Sequence, residues 1–243
     1  MSEFNRSDAY TAYGETLKDY IMRVFSRMGM GLALTAGTAY GCYRSLMTGG
    51  FMYTLLFRYD AFSFMFFGCA IVQIVLCLML SMRLTKLRPA TATGLFYGYA
   101  VITGITFSVL PLSFGEATVF GAFVFAAVLF GCCLVIGHTT SVDLSTYQGL
   151  LIGGLVGLLV TSLLSFFIPV FRDSLLINYI GIILFLALTA WDMQRLKSFY
   201  YQYGGTGDME ENIAVYGAFQ LYLDFINIFL RVLRILASRN SRR

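Results

Sequence analysis

Apolar residues in this chain fall into long runs, not into the strict alternation of half-buried strands or the narrow stripes of soluble helices. The runs lie at roughly 24–43, 61–82, 94–113, 117–137, 148–169, 175–197 and 213–236. At about 1.5 Å per residue, each can cross about 30 Å of hydrocarbon as a helix, with some tilt or an interfacial flank. The pattern predicts an all-α integral membrane protein with seven spans. The first run is interrupted by Arg27 and followed by Arg44, which are expected to reach toward the interfaces. Ahead of it, Leu17, Tyr20, Ile21, Val24 and Phe25 share one helical face and predict an amphipathic lead-in helix. The expected organisation is an N-terminal amphipathic, cytoplasmic segment at 1–23, a transmembrane domain at 24–236 and a basic tail at 237–243. The first segment lacks the apolar core and small-residue cleavage site of a signal peptide. The longest loops, 44–60 and 198–212, leave no room for a soluble domain.

The last run departs from the rest. It reads YGAFQLYLDFINIFLRVLRIL, Tyr216 to Leu236, and places Gln220, Asp224, Asn227, Arg231 and Arg234 on one helical stripe. A carboxylate at that depth costs on the order of 3 kcal/mol on insertion scales. The pattern predicts a helix in the centre of the bundle with its polar stripe turned inward. A second acid, Asp192, ends the preceding run in LALTAWDMQRLK. The turn between the runs, GGTGDMEE, is centred near Asp208, and Asp192 and Asp224 are equidistant from it. In an antiparallel hairpin equal distance means equal depth, so the two aspartates can meet.

Composition supports the membrane reading. Hydrophobic residues make up 58% of the chain and charged residues 12%, more apolar surface than a soluble core could bury. The net charge of +4 suits loops near anionic lipid and is not read as nucleic-acid binding. Basic residues favour an inner N-terminus: Arg6, Lys18, Arg23, Arg27, Arg83, Lys86, Arg88, Arg195 and Lys197 would lie inside, against Arg44, Arg58 and Arg172 outside. The basic C-terminal end nearly cancels that bias if all seven runs cross, so a six-span chain with a re-entrant last helix stays open. Cys42, Cys69, Cys77, Cys132 and Cys133 are expected as small buried hydrophobes. The Gly37/Gly41, Gly94/Gly98 and Gly149/Gly153/Gly157 patterns are expected at close helix contacts. Trp191 and the tyrosines at 200, 201 and 203 are expected as interface anchors.

The chemistry centres on the acid pair. Two carboxyls in contact in a low dielectric cannot easily both ionise, and they titrate as a pair. Protonated, they hold together; fully ionised, they repel and can part their helices, which makes a pH-gated latch on an aqueous path. When ionised, the Asp192 and Asp224 oxygens are also hard ligands suited to a transient calcium ion. The competing reading has two separate carboxylates, one solvated and one paired with arginine. Arg83, after the second run, is the natural counter-ion, although it also fits the basic loop with Lys86 and Arg88. Arg231 and Arg234 are deeper candidates. No acid in the second run answers Arg234; Gln73 is its nearest polar residue there. His138 stands alone at the end of the fourth run and is expected in an interfacial role.

WDMQRLK followed by LYLDFINIFLRVLRIL closely resembles the Bax inhibitor-1, or transmembrane Bax inhibitor motif, family, and GYAVITGITFSVL resembles that family's third helix. The likeness runs from about Arg23 to Leu236, and the short loops resemble the bacterial branch. The resemblance implies a seven-helix bundle wrapped around the last helix and a pH-sensitive calcium leak controlled by two aspartates, matched here by Asp192 and Asp224, with Arg83 matching their basic partner. It implies a multi-pass protein of a bacterial inner membrane. Calcium and protons are then the expected small partners, calcium as permeant ion and not as cofactor, and the lipid bilayer is the large one. Where some relatives carry an acid in helix two, this chain has Val72 and Gln73. Eukaryotic members suppress cell death, which is not carried over.

No enzyme is expected. Intramembrane aspartyl proteases also carry two membrane aspartates, but with Gly-x-Gly-Asp at the second. Here that site reads Leu221-Tyr222-Leu223-Asp224, and no Pro-Ala-Leu segment follows. A retinal protein needs a lysine within a span, and Lys18, Lys86 and Lys197 all lie at run ends. A partner-binding membrane regulator without transport is the remaining alternative. Sequence does not set the oligomeric state.

Overall fold

The computed structural model describes residues 16–58, 62–82, 87–165 and 174–240. Among these residues the fold is helical. The long helices are α1 (Leu17–Met47), α2 (Phe62–Met82), α3 (Pro89–Phe107), α4 (Glu116–Thr139), α5 (Gln148–Leu164), α6 (Leu175–Tyr203) and α7 (Asp208–Asn240). Six stretches are long and apolar enough to cross a membrane: Phe64–Met82, Pro89–Phe114, Glu116–Thr139, Leu144–Leu164, Leu175–Tyr203 and Asp208–Arg239. The expected count was seven. The missing one, 24–43, lies within α1, which at 31 residues is long enough. Its glycines, threonines and Arg27 make it less apolar than the others.

The helix ends follow local chemistry. Thr16 caps α1 in a reciprocal box with Asp19, each side chain meeting the other residue's backbone N–H. Pro89 opens α3, where its missing N–H costs nothing. The expected loop at 198–212 shrinks to the four residues 204–207. Gly204 N–H closes onto the Tyr200 carbonyl, and Gly205 and Gly207 take φ of 78° and 62°. Three acids, Asp208, Glu210 and Glu211, then occupy the first turn of α7, where the helix dipole favours them.

The chain forms two compact units. The first comprises residues 1–113 and 196–222, the second 114–195 and 223–243, so α6 and α7 each contribute to both. In the first unit, Phe96 of α3 stacks edge-on against Phe219 and Tyr222 of α7. Thr35 of α1 shares hydrogen bonds with Tyr222 Oη at 2.7 Å and the Ala100 carbonyl at 2.9 Å. Gly104 lets α3 close on α1: a Cβ there would lie 2.6 Å from the Thr35 carbonyl. In the second unit, Phe123 and Phe130 of α4 stack on Phe225 of α7. Gly137 lets α4 close on α6, since a Cβ would lie 2.5 Å from the Ala190 carbonyl oxygen.

Burial is uneven. In α7 the most apolar window is 72% buried and in α6 44%, against 6% in α2 and 11% in α5. Large apolar side chains such as Phe64, Phe67, Leu150 and Ile183 are exposed, an outer surface suited to lipid and not to water. The glycines of the expected contact patterns (37, 41, 94, 98, 149, 153 and 157) have open space where a Cβ would go. The close approaches fall on other glycines, because a contact depends on which face meets a neighbour and not on the spacing of the pair. The cysteines likewise are not buried: Cys132 is exposed, and the other four are half-buried free thiols.

Candidate functional site

Asp192 lies just past the middle of α6 and Asp224 in the middle of α7. Their exposures are 7% and 6%. Both belong to the second unit. The structure brings the two together: the carboxyls lie in hydrogen-bonding reach of each other.

Two further residues complete the site, and sequence reasoning did not single them out. Thr189 is buried one turn before Asp192. Its hydroxyl lies 2.7 Å from the Phe185 carbonyl and 3.4 Å from Asp224 Oδ2. Arg195, three residues after Asp192, donates from Nη1 to Asp192 Oδ1 at 3.4 Å, and its guanidinium stacks over the Trp191 ring at 4.7 Å. The signal for both was present as i−3 and i+3 spacing around Asp192. Trp191 is 7% exposed and Tyr200 equally buried, so neither is an interface anchor; Tyr201 is 65% exposed.

Arg83, the expected counter-ion, lies outside the described residues. On the α7 stripe, Asp224 and Arg231 are buried, Gln220 and Asn227 half-buried, and Arg234 exposed. The inward stripe therefore does not extend to Arg234. Asn227 donates to the Leu223 carbonyl of its own helix at 2.8 Å. Gln73 donates to Thr103 at 2.9 Å. His138 is exposed in the last turn of α4. Among the described residues no group of three or more His, Cys, Asp or Glu side chains gathers around one point, so the pair offers a cation two carboxyls and no third such side chain.

A second polar cluster, in the first unit, was also missed. Arg23 of α1 bonds Glu210 and Glu211 of α7 at 2.5 Å each, and Arg27 bonds Glu211. The i,i+4 arginines facing an acidic helix start were its signal.

Comparison with known proteins identifies the family. Residues 17–241 match the family described as "Inhibitor of apoptosis-promoting Bax1". The chain is 34% identical to the inner membrane protein YbhL of Escherichia coli (strain K12) over 241 residues, 98% of this chain and 100% of YbhL. An uncharacterized protein of Deinococcus radiodurans is 37% identical over 226 residues, 93% of each chain. A third relative, RP147 of Rickettsia prowazekii, is 31% identical over 229 residues, 94% of this chain and 93% of its own. With six apolar spans and a match along nearly its whole length, this chain is a multi-pass membrane protein that belongs to the Bax inhibitor-1 family.

Proposed function

We propose that this protein is a pH-sensitive cation leak, with calcium as its permeant ion, gated by proton sharing between Asp192 and Asp224. The observation that supports this most is the contact of two buried carboxyls from consecutive helices. With a proton between them, the pair ties α6 to α7 and the path is shut. As pH rises the pair loses that proton, two like charges face each other in low dielectric, and the helices are pushed apart. The groups around the pair are the Thr189 hydroxyl and the Arg195 guanidinium. Arg195 offsets part of the repulsion, and Arg83 is retained as a second counter-ion.

The wider reading takes α1 as a seventh span and α7 as the centre of the bundle. It places the protein in a bacterial inner membrane, as the name of YbhL says of that relative, with the N-terminus cytoplasmic. The ionised oxygens act as a passing contact for calcium, a hard cation that prefers oxygen ligands.

Calcium flux into liposomes holding the purified protein tests the gate. Wild type should leak faster as pH is raised from acidic to mildly alkaline. Asp224→Asn keeps a donor for Asp192 and cannot ionise, so its leak should stay low across the range. Asp192→Asn should behave alike. Flux in both variants with the wild-type pH dependence would overturn the gate.

A further inference from the structure

The aspartate pair leaves one buried charge in the second unit without a role. Arg231 is 8% exposed, lies seven residues after Asp224 and turns away from it, so that its guanidinium reaches toward the start of α6. Gly181 makes room there, since a Cβ at that position would fall on the guanidinium itself. The group faces the Phe185 ring at 5.5 Å, and Nη1 reaches the Ile177 carbonyl at a long 3.4 Å. Nε is buried with no hydrogen-bond partner among the described residues. A guanidinium has five N–H donors and one full charge. Among the described residues a single long bond and one ring face answer them, and no carboxylate does. The charge it does feel is of the same sign, from Arg234 three residues on, which is exposed.

Two guanidiniums on the last turns of one span, one of them buried and short of acceptors, repel each other until an anion comes between them. Side chains of this length carry their charge toward the headgroup level. Ile177 is in the first turn of α6, at the end of a span, where phosphate groups lie. We propose that Arg231 and Arg234 form a site for a phosphate-bearing anion at the α6 N-terminal end of the α6–α7 hairpin. The planar fork of Arg231 suits two phosphate oxygens, while Arg234 supplies the second charge from the open side. A phospholipid headgroup and free phosphate share this chemistry. The site does not depend on the leak reading.

Native mass spectrometry of the full-length protein in detergent tests it, with phosphatidylglycerol added in one arm and inorganic phosphate in the other. Arg234→Gln is exposed and leaves packing intact; Arg231→Lys keeps the charge and loses the fork; Arg231→Gln removes both. Each should weaken binding by about tenfold or more, the scale of one lost charge-assisted hydrogen bond. Loss confined to the lipid arm identifies a headgroup site, and loss confined to the other arm a free-phosphate site. Binding in both arms that is unchanged in Arg234→Gln and Arg231→Lys overturns the proposal, as does binding in neither arm by wild type.

Discussion

Gly137 and Gly153 show what a single methyl group decides here. A Cβ at Gly137 meets the backbone of Ala190 on α6, whereas one at Gly153 meets nothing. Gly137→Ala should destabilise by about 1–3 kcal/mol through overpacking. Gly153→Ala should be neutral or stabilise by up to about 1 kcal/mol through helix propensity. Thermal unfolding in detergent separates the two. At the other end of the chain, hydrogen bonds from Thr16 hold the exposed Asp19 carboxyl below its ordinary value. Its contribution to the α1 cap is thus present above about pH 4, the unfolded value, and fades as pH falls through the lower folded one. Amide protection at residues 16–20 should drop with acid in wild type and lose that step in Asp19→Asn. At this scale the sequence reading reached Asp192 and Asp224 because a charge in an apolar run stands out. It passed over Thr189 and Arg195 because a threonine and an end-of-span arginine look ordinary until their neighbours are known.

Helices were legible where they cross lipid and less so where they end. Apolar runs mark the part of a helix that must avoid water, while its limits are set by caps. The 175–197 run therefore understated α6, which continues to Tyr203, and Pro89 started α3 ahead of its apolar run. The link between α1 and the start of α7 lay wholly in polar flanks. Glu211 receives both Arg23 and Arg27, and the groups are 16–29% exposed. Solvent screening limits each pair, so Glu211→Gln should cost about 1 kcal/mol. A double-mutant cycle with Arg27→Gln, read from chemical denaturation, should show coupling of the same order. No coupling would mean that the Arg27–Glu211 pair contributes nothing to holding the two helices together.

For the molecule as a whole, membrane residence and family were readable from composition and from the WDMQRLK and LYLDFINIF segments. The number of crossings was not, because α1 is long but rich in glycine and threonine. Topology reporters fused at the two ends decide it. Seven crossings put them on opposite faces with the N-terminus inside; a re-entrant α7 puts both on one face. The structure also carries its own means of watching the aspartates. Trp191 is the sole tryptophan of the chain, and it lies beneath the Arg195 guanidinium that touches Asp192. Light absorbed beyond the tyrosine band is therefore emitted from this one place. A change in that glow on titration, recorded from the unlabelled protein in a vesicle, would time the parting of the two acids against the ions that pass.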